Sequence, residues 1–143
     1  MGKKYDFGLV GLGVMGRNFI LNVADNGFSA FGNDLDTEKV NALIEEGGNT
    51  EKVNASTEAK VFVEALATPR KIMLLVPAGK VVDIVIENLL PLLDKDDIII
   101  DGGNSFFTDT GIRKYIIRCF QVTQMFIRTL CRDVKAGIKR FYK

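Results

Sequence analysis

The chain has no histidine at all. That absence excludes Ser-His-Asp triads, Cys-His pairs and every dehydrogenase that draws its proton to a histidine base. Cysteine is nearly absent too: Cys119 and Cys131 lie 12 residues apart and form no CxxC pair. Without imidazoles beside them they cannot assemble a zinc site, so no metal is expected. No apolar run approaches the ~18 residues of a membrane span, and no repeat or low-complexity segment is evident. The start, MGKKYDFGLVGLGVMG, has a basic end and an apolar run, but Asp6 and the glycines interrupt it and no small-residue cleavage site follows. Met1-Gly2 invites myristoylation, yet position 6 is Asp rather than Ser or Thr. The expectation is a cytoplasmic protein with no membrane partner.

What is present is ordinary in bulk and uneven in distribution. A chain of 143 residues, 47% apolar and 26% charged, fits one globular domain. Residues 1–110 hold 10 Lys/Arg against 17 Asp/Glu, whereas residues 111–143 hold 9 Lys/Arg against the single acid Asp133. Beyond Gly111 only Gly137 remains of 14 glycines. This change of composition divides the chain into a domain over 1–110 and a basic tail over 111–143.

Within the domain, apolar runs alternate with helical spacing. Tyr5–Leu12 reads as a buried strand, and Val14–Asp25 as a helix through Met15, Phe19, Ile20 and Val23. Asn26-Gly27 stops that helix. Phe28–Asn33 is a second strand. A second helix follows, capped by Asp36 or Thr37 and closed by Gly47-Gly48. A weaker helix covers about Thr57–Ala67, Lys71–Val76 is a third strand, and a helix runs from about Lys80 to Leu93. Asp97–Asp101 is a fourth strand. Strands apolar on both faces and separated by helices predict an α/β fold, a parallel sheet covered on both sides. Ligands in such folds bind beyond the carboxyl ends of the strands.

The loop after the first strand is Gly11-Leu12-Gly13-Val14-Met15-Gly16, a G-x-G-x-x-G between strand and helix. Gly11 permits a tight turn, Gly13 a close approach to a pyrophosphate, and Gly16 close packing of helix on sheet. The pyrophosphate would sit on the helix N-terminus, where free N–H groups and the helix dipole favour anions. Asp34, at the end of the second strand, is 18 residues past Gly16, where an acid hydrogen-bonds an adenosine ribose. A carboxylate there repels a 2′-phosphate, and no Arg or Lys occupies positions 32–38. NAD is therefore favoured over NADP as the cofactor.

GLGVMGRN with ILNVADNGF, then LLVPAG, then PLLDKDDIIIDGGNS, in that order over about Tyr5 to Thr110, resembles 6-phosphogluconate dehydrogenase. The resemblance implies a Rossmann-like, doubly wound sheet. It implies oxidation of 6-phosphogluconate at C3 with NAD(P), then loss of CO2 to give ribulose 5-phosphate, in the pentose phosphate pathway. It places Val76, Pro77 and Ala78 beside the nicotinamide and Asn104 against both cofactor and substrate, a place suited to an amide that donates and accepts. The related 3-hydroxyisobutyrate dehydrogenase group shares the GLGxMG start but typically has D-x-S-T where this chain has DGGNS. NADP-using members often carry Asn-Arg-Thr after the second strand, whereas this chain reads Asn33-Asp34-Leu35-Asp36.

The resemblance stops near Thr110. The family continues with a further helix and strand, a Ser-Gly-Gly substrate loop, and a helical domain bearing a catalytic Lys and Glu. None of these patterns follows here. No catalytic residue is therefore expected in this chain, and a sheet incomplete on its C-terminal side is. Substrate binding and the family's dimer belong to a full-length protein. In the tail, Ile116, Phe120, Ile127, Leu130 and Val134 recur at roughly helical spacing among basic residues. Three readings stand: a basic amphipathic helix for nucleic acid or a membrane surface, a helix packed on the sheet, or the product of a truncated or frameshifted gene. The abrupt loss of family pattern and of acids favours the last and disfavours nucleic acid. The rival functions are a 3-hydroxyisobutyrate dehydrogenase-like fragment and a non-catalytic NAD-binding module with a working tail.

Overall fold

A computed structural model describes residues 2, 4–48 and 50–103, and the backbone of 123–126. Its core is a parallel sheet with strands β1 (Phe7–Val10), β2 (Ala30–Asn33), β3 (Val53–Ser56), β4 (Lys71–Leu74), β5 (Ile98–Asp101) and β6 (Thr123–Phe126). They lie in the order β3-β2-β1-β4-β5-β6, and every pairing is parallel. Helices α1 (Val14–Asp25), α2 (Thr37–Glu46), α3 (Ala59–Ala65) and α4 (Lys80–Leu89) connect them, α4 running into a 3-10 turn over Leu90–Leu92.

The strands are short, and alternate residues send apolar side chains to opposite faces. On one face Leu9, Ala30 and Met73 pack with Ile20 of α1 and Val40 and Leu43 of α2. On the other, Val10, Phe31, Ile72, Leu74 and Ile99 pack with Phe62 and Val63 of α3 and Val82, Ile86 and Leu89 of α4. Phe31 joins Tyr5 and Phe62 there, with ring centroids 5.1 and 6.2 Å apart. Each such side chain, taken fully out of water, contributes about 1.5–3 kcal/mol. Two cores of this kind make the sheet doubly wound.

The helix boundaries follow local chemistry. Gly27, at φ +93°, ends α1, and the N–H of Phe28 reaches back to the Val23 carbonyl at 3.2 Å, a left-handed stop. Of the two candidate caps for α2, Asp36 is the one used: its carboxylate accepts from the N–H of Glu38 at 2.9 Å. Gly48, at φ +65°, follows the end of α2.

The four expected strands are all neighbours in one parallel sheet, and two more join them. β3 carries only Val53 and Ala55 as buried apolar residues, between Asn54 and Ser56, too short a pattern to stand out by periodicity. β6 arises inside the basic tail and pairs with β5 from Ile98↔Thr123 to Asp101↔Phe126. One expectation is corrected there: Thr123–Phe126 is strand rather than helix. None of the residues that carry the helical spacing lies in this segment, and its backbone finds its partners on the edge offered by β5. Ile116, Phe120, Ile127, Leu130, Val134 and both cysteines lie outside the described residues. Among the described residues, no helix is long and apolar enough to cross a membrane, and no cluster could hold a metal ion.

Candidate functional site

From β1 the chain first winds outward through β2 to β3, then returns to lay β4 on the other side of β1. The loops after β1 and β4 therefore leave the sheet in opposite senses, which opens a crevice at their carboxyl ends. Ladder bonds continue past the strands on both sides of it. The N–H of Gly11 donates to the Asn33 carbonyl at 2.9 Å, and that of Leu75 to the Val10 carbonyl at 2.8 Å.

Gly11 sits at φ +101°, and a Cβ there would overlap the Leu75 carbonyl. Only glycine meets both conditions without strain. Gly16, in the first turn of α1, passes so close to the Gly11 carbonyl that no side chain fits between. Gly13 differs. It caps α1 at φ −62°, a conformation open to any residue, and among the described residues nothing lies within 4 Å of where its Cβ would be. Among the described residues nothing demands glycine there. Leu12 is buried in the core, whereas Val14 and Met15 are 71% and 72% exposed at the mouth of the helix.

The N-terminus of α1 carries no side-chain cap and no acid in its first turn. By helix geometry its leading N–H groups have no intrahelical acceptor. In α2, by contrast, Asp36 caps and Glu38 adds an acid. The positive end of α1 thus meets the crevice with no acid of its own first turn and no side-chain cap to offset it.

Asp34 lies just past β2, beside this loop. One carboxylate oxygen accepts from the N–H of Leu12 at 2.8 Å, the other from the N–H of Asp36 at 3.0 Å. Lys39, one position beyond the cation-free stretch 32–38, folds back to within 3.9 Å of Asp34 and 3.7 Å of Asp36. A cation is therefore present at the strand end after all. Spacing along α2 could have revealed it, since Asp36 and Lys39 are three apart on a helix face. Val76 is half-buried against Gly11, and Pro77 and Ala78 are exposed at the other lip. At the end of β5, Asp101 is buried and accepts from the N–H of Gly103 at 3.0 Å, a turn that leads straight to position 104. Asn104 itself lies outside the described residues. A separate cleft of about 340 Å³ lies near the C-terminal ends of α1 and α2, beside Asp25, Glu46, Thr50 and Lys52, and the glycine loop is not part of it.

The 3-2-1-4-5-6 strand order, the glycine loop opening α1 and the acid after β2 together define a dinucleotide-binding domain. Residues 6–119 match the family described as the NAD binding domain of 6-phosphogluconate dehydrogenase, and the chain belongs to that family. It is 46% identical over 110 residues to a decarboxylating 6-phosphogluconate dehydrogenase of Dictyostelium discoideum, covering 77% of this chain and 22% of that protein. It is 48% identical over 108 residues to decarboxylating 6-phosphogluconate dehydrogenase 2 of Saccharomyces cerevisiae, covering 76% of this chain and 22% of that one. The chain thus spans under a quarter of the length of these relatives.

Among solved structures, 6-phosphogluconate dehydrogenase of Plasmodium falciparum, studied with its cofactor NADP+ and its substrate 6-phosphogluconate, superposes with a TM-score of 0.77 at 32% identity. That match covers 83% of this chain and 26% of that one. A 3-hydroxyisobutyrate dehydrogenase of Mycobacterium tuberculosis gives a TM-score of 0.74 at 19% identity, covering 86% and 40%, and shares the fold. The family match extends to residue 119, past the composition change near Gly111.

Proposed function

We propose that the chain binds NAD(P) across the crevice between the loops after β1 and β4, as the cofactor half of a decarboxylating 6-phosphogluconate dehydrogenase. Gly13 carries this reading. The fold requires glycine at positions 11 and 16, but at position 13 the backbone is ordinary and the space around it open. A bare backbone there serves a molecule outside the chain. The N–H groups of Val14, Met15 and Gly16 lead α1 and suit the two negative charges of a pyrophosphate. Asp34 faces the adenosine ribose, Val76, Pro77 and Ala78 line the nicotinamide end, and the family resemblance assigns Asn104 to the same end.

Between the two cofactors, Asp34 favours NAD. Its side chain is 14% exposed, so a 2′-phosphate would meet a carboxylate in partly desolvated surroundings, where like charges repel more strongly than in water. Lys39 offsets part of that charge without removing it, and the preference is one of degree. The hydride and proton steps on 6-phosphogluconate belong to a longer protein, in the cytoplasm, that supplies the substrate loop and the acid–base pair. The test is calorimetric titration of the folded chain with NAD+ and NADP+. Saturable binding of both, NAD+ the tighter, is expected. Binding of neither by a folded chain contradicts the function, and tighter NADP+ contradicts only the role given to Asp34.

A further inference from the structure

The bond between Asp34 and Leu12 carries a second consequence for the same site, one that rests on the cofactor reading above. We propose that Asp34 is a positioning residue for the phosphate loop as well as a contact for the ribose, so that the two halves of the nucleotide are read by one carboxylate.

The β1–β2 pairing ends at Val10↔Asn33. The ladder then continues through the Gly11 N–H, which donates to the Asn33 carbonyl at 2.9 Å. At the next residue the Leu12 N–H has no strand carbonyl to meet, and the Asp34 carboxylate takes that place at 2.8 Å. The carboxylate is held in turn by the Asp36 N–H at 3.0 Å. Leu12 is also fixed through its side chain, which is 1% exposed and lies with Leu43 against Gly32. Its N–H is therefore directed at Asp34 and not at the crevice, which leaves the anion to the N–H groups from Gly13 onward.

An ionised carboxylate has about four lone-pair positions. Two accept backbone N–H groups, so capacity remains for ribose hydroxyls without releasing the loop. Removal of the carboxylate orphans a partly buried N–H, and a group so exposed to loss turns to find another partner. The turn at Leu12 would carry Gly13 and the start of α1 with it.

The test separates the ribose contact from the loop contact by ligand chemistry. ADP offers diphosphate and ribose hydroxyls, whereas 2′,3′-dideoxy-ADP keeps the adenine and diphosphate and lacks the hydroxyls. Both are titrated into the full chain and into Asp34→Ala and Asp34→Asn, with amide hydrogen exchange followed at Leu12. Expected is a loss of about tenfold for dideoxy-ADP in Asp34→Ala, the scale of one charged hydrogen bond. A larger loss is expected for ADP. Asp34→Asn, which keeps one acceptor oxygen, should retain most of the dideoxy-ADP affinity. Undiminished dideoxy-ADP binding in Asp34→Ala, with ADP weakened, overturns the inference and leaves the cofactor function standing. Failure of the unmutated chain to bind either nucleotide overturns the cofactor function instead. Exchange then decides the clamp: faster exchange at Leu12 in Asp34→Ala supports it, unchanged exchange refutes it. If Asp34→Ala does not fold, the unmutated chain suffices, because a Leu12 amide that exchanges as freely as an exposed loop contradicts the clamp and a protected one supports it.

Discussion

Gly16 and Gly11 touch across the first loop, with the Cα of Gly16 so close to the Gly11 carbonyl oxygen that a methyl group cannot enter. The helix that opens the site is thereby seated on the turn that begins it. Gly16→Ala should cost about 1–3 kcal/mol, the range for overpacking a close-packed contact. Gly13→Ala should cost no more than about 1 kcal/mol, because Gly13 is only a cap with open surroundings. Thermal denaturation of the two variants measures the difference. Equal destabilisation would show that position 13 is structural too.

A second contrast lies at the other end of the strands, far from the crevice. Arg70 donates to Asp94 and Asp97, each at 2.7 Å, and its own backbone N–H donates to Asp97 at 2.6 Å. Burial opposes the Arg70 charge, but the hydrogen bonds to Asp94 and Asp97 outweigh it and raise its pKa above the ordinary value. The Asp97 side chain is 1% exposed and that of Asp94 70%. Asp97→Ala takes the buried partner from a half-buried guanidinium and leaves the Arg70 and Asp94 backbone N–H groups without their acceptor, and should destabilise by about 2–3 kcal/mol. Asp94→Ala should cost under about 1 kcal/mol. A raised pKa means that the Arg70 contribution is complete below the unfolded arginine pKa and is lost only as pH rises through the folded one. The gap between the two variants in urea denaturation should therefore be the same at neutral and mildly alkaline pH.

Much of this molecule was legible in its residues, and the parts that were not have physical causes. Gly11, Gly13 and Gly16 could be read because a loop of this kind needs glycine at fixed offsets, and the structure separates the two that the fold requires from the one that it does not. The four strands with continuous apolar runs were legible for the same reason that they are central: both faces are covered. β3 was not, since a four-residue edge strand with two polar residues has no periodicity to detect. β6 was misread because its partner is a sheet edge, and backbone pairing leaves no mark in local spacing. Lys39 is not legible from the strand-end residues 32–38, because it is the first turn of α2 that returns its side chain to the strand end.

Cofactor choice gives a third prediction. Asp34→Ala should weaken NAD+ binding about tenfold or more, the effect of losing a charged hydrogen-bond partner. It should weaken NADP+ less, because the same change removes a repulsion. The ratio of the two dissociation constants, measured by competition, should move toward NADP+. A ratio unchanged by the substitution would mean that Asp34 does not read the 2′ position.

Turnover gives a fourth. The purified 143-residue chain should produce no NAD(P)H from 6-phosphogluconate above background. The reaction needs a base for the C3 hydroxyl proton and an acid for C1 after decarboxylation, each worth about 10²–10⁴-fold when positioned. The resemblance puts both groups in the part of the relatives that this chain does not span. Turnover that is lost in Asn104→Ala would show that the chain, or a second copy of it, supplies those groups.

Where the dinucleotide sits is read most directly, residue by residue, by backbone amide spectra of the labelled chain titrated with NAD+. The predicted result is that the amides of Gly13, Val14, Met15 and Gly16 shift together and saturate with those of Asp34 and Val76. Saturation with these amides unmoved, and shifts gathered instead around Asp25, Glu46 and Lys52 at the opposite end of the sheet, would contradict it.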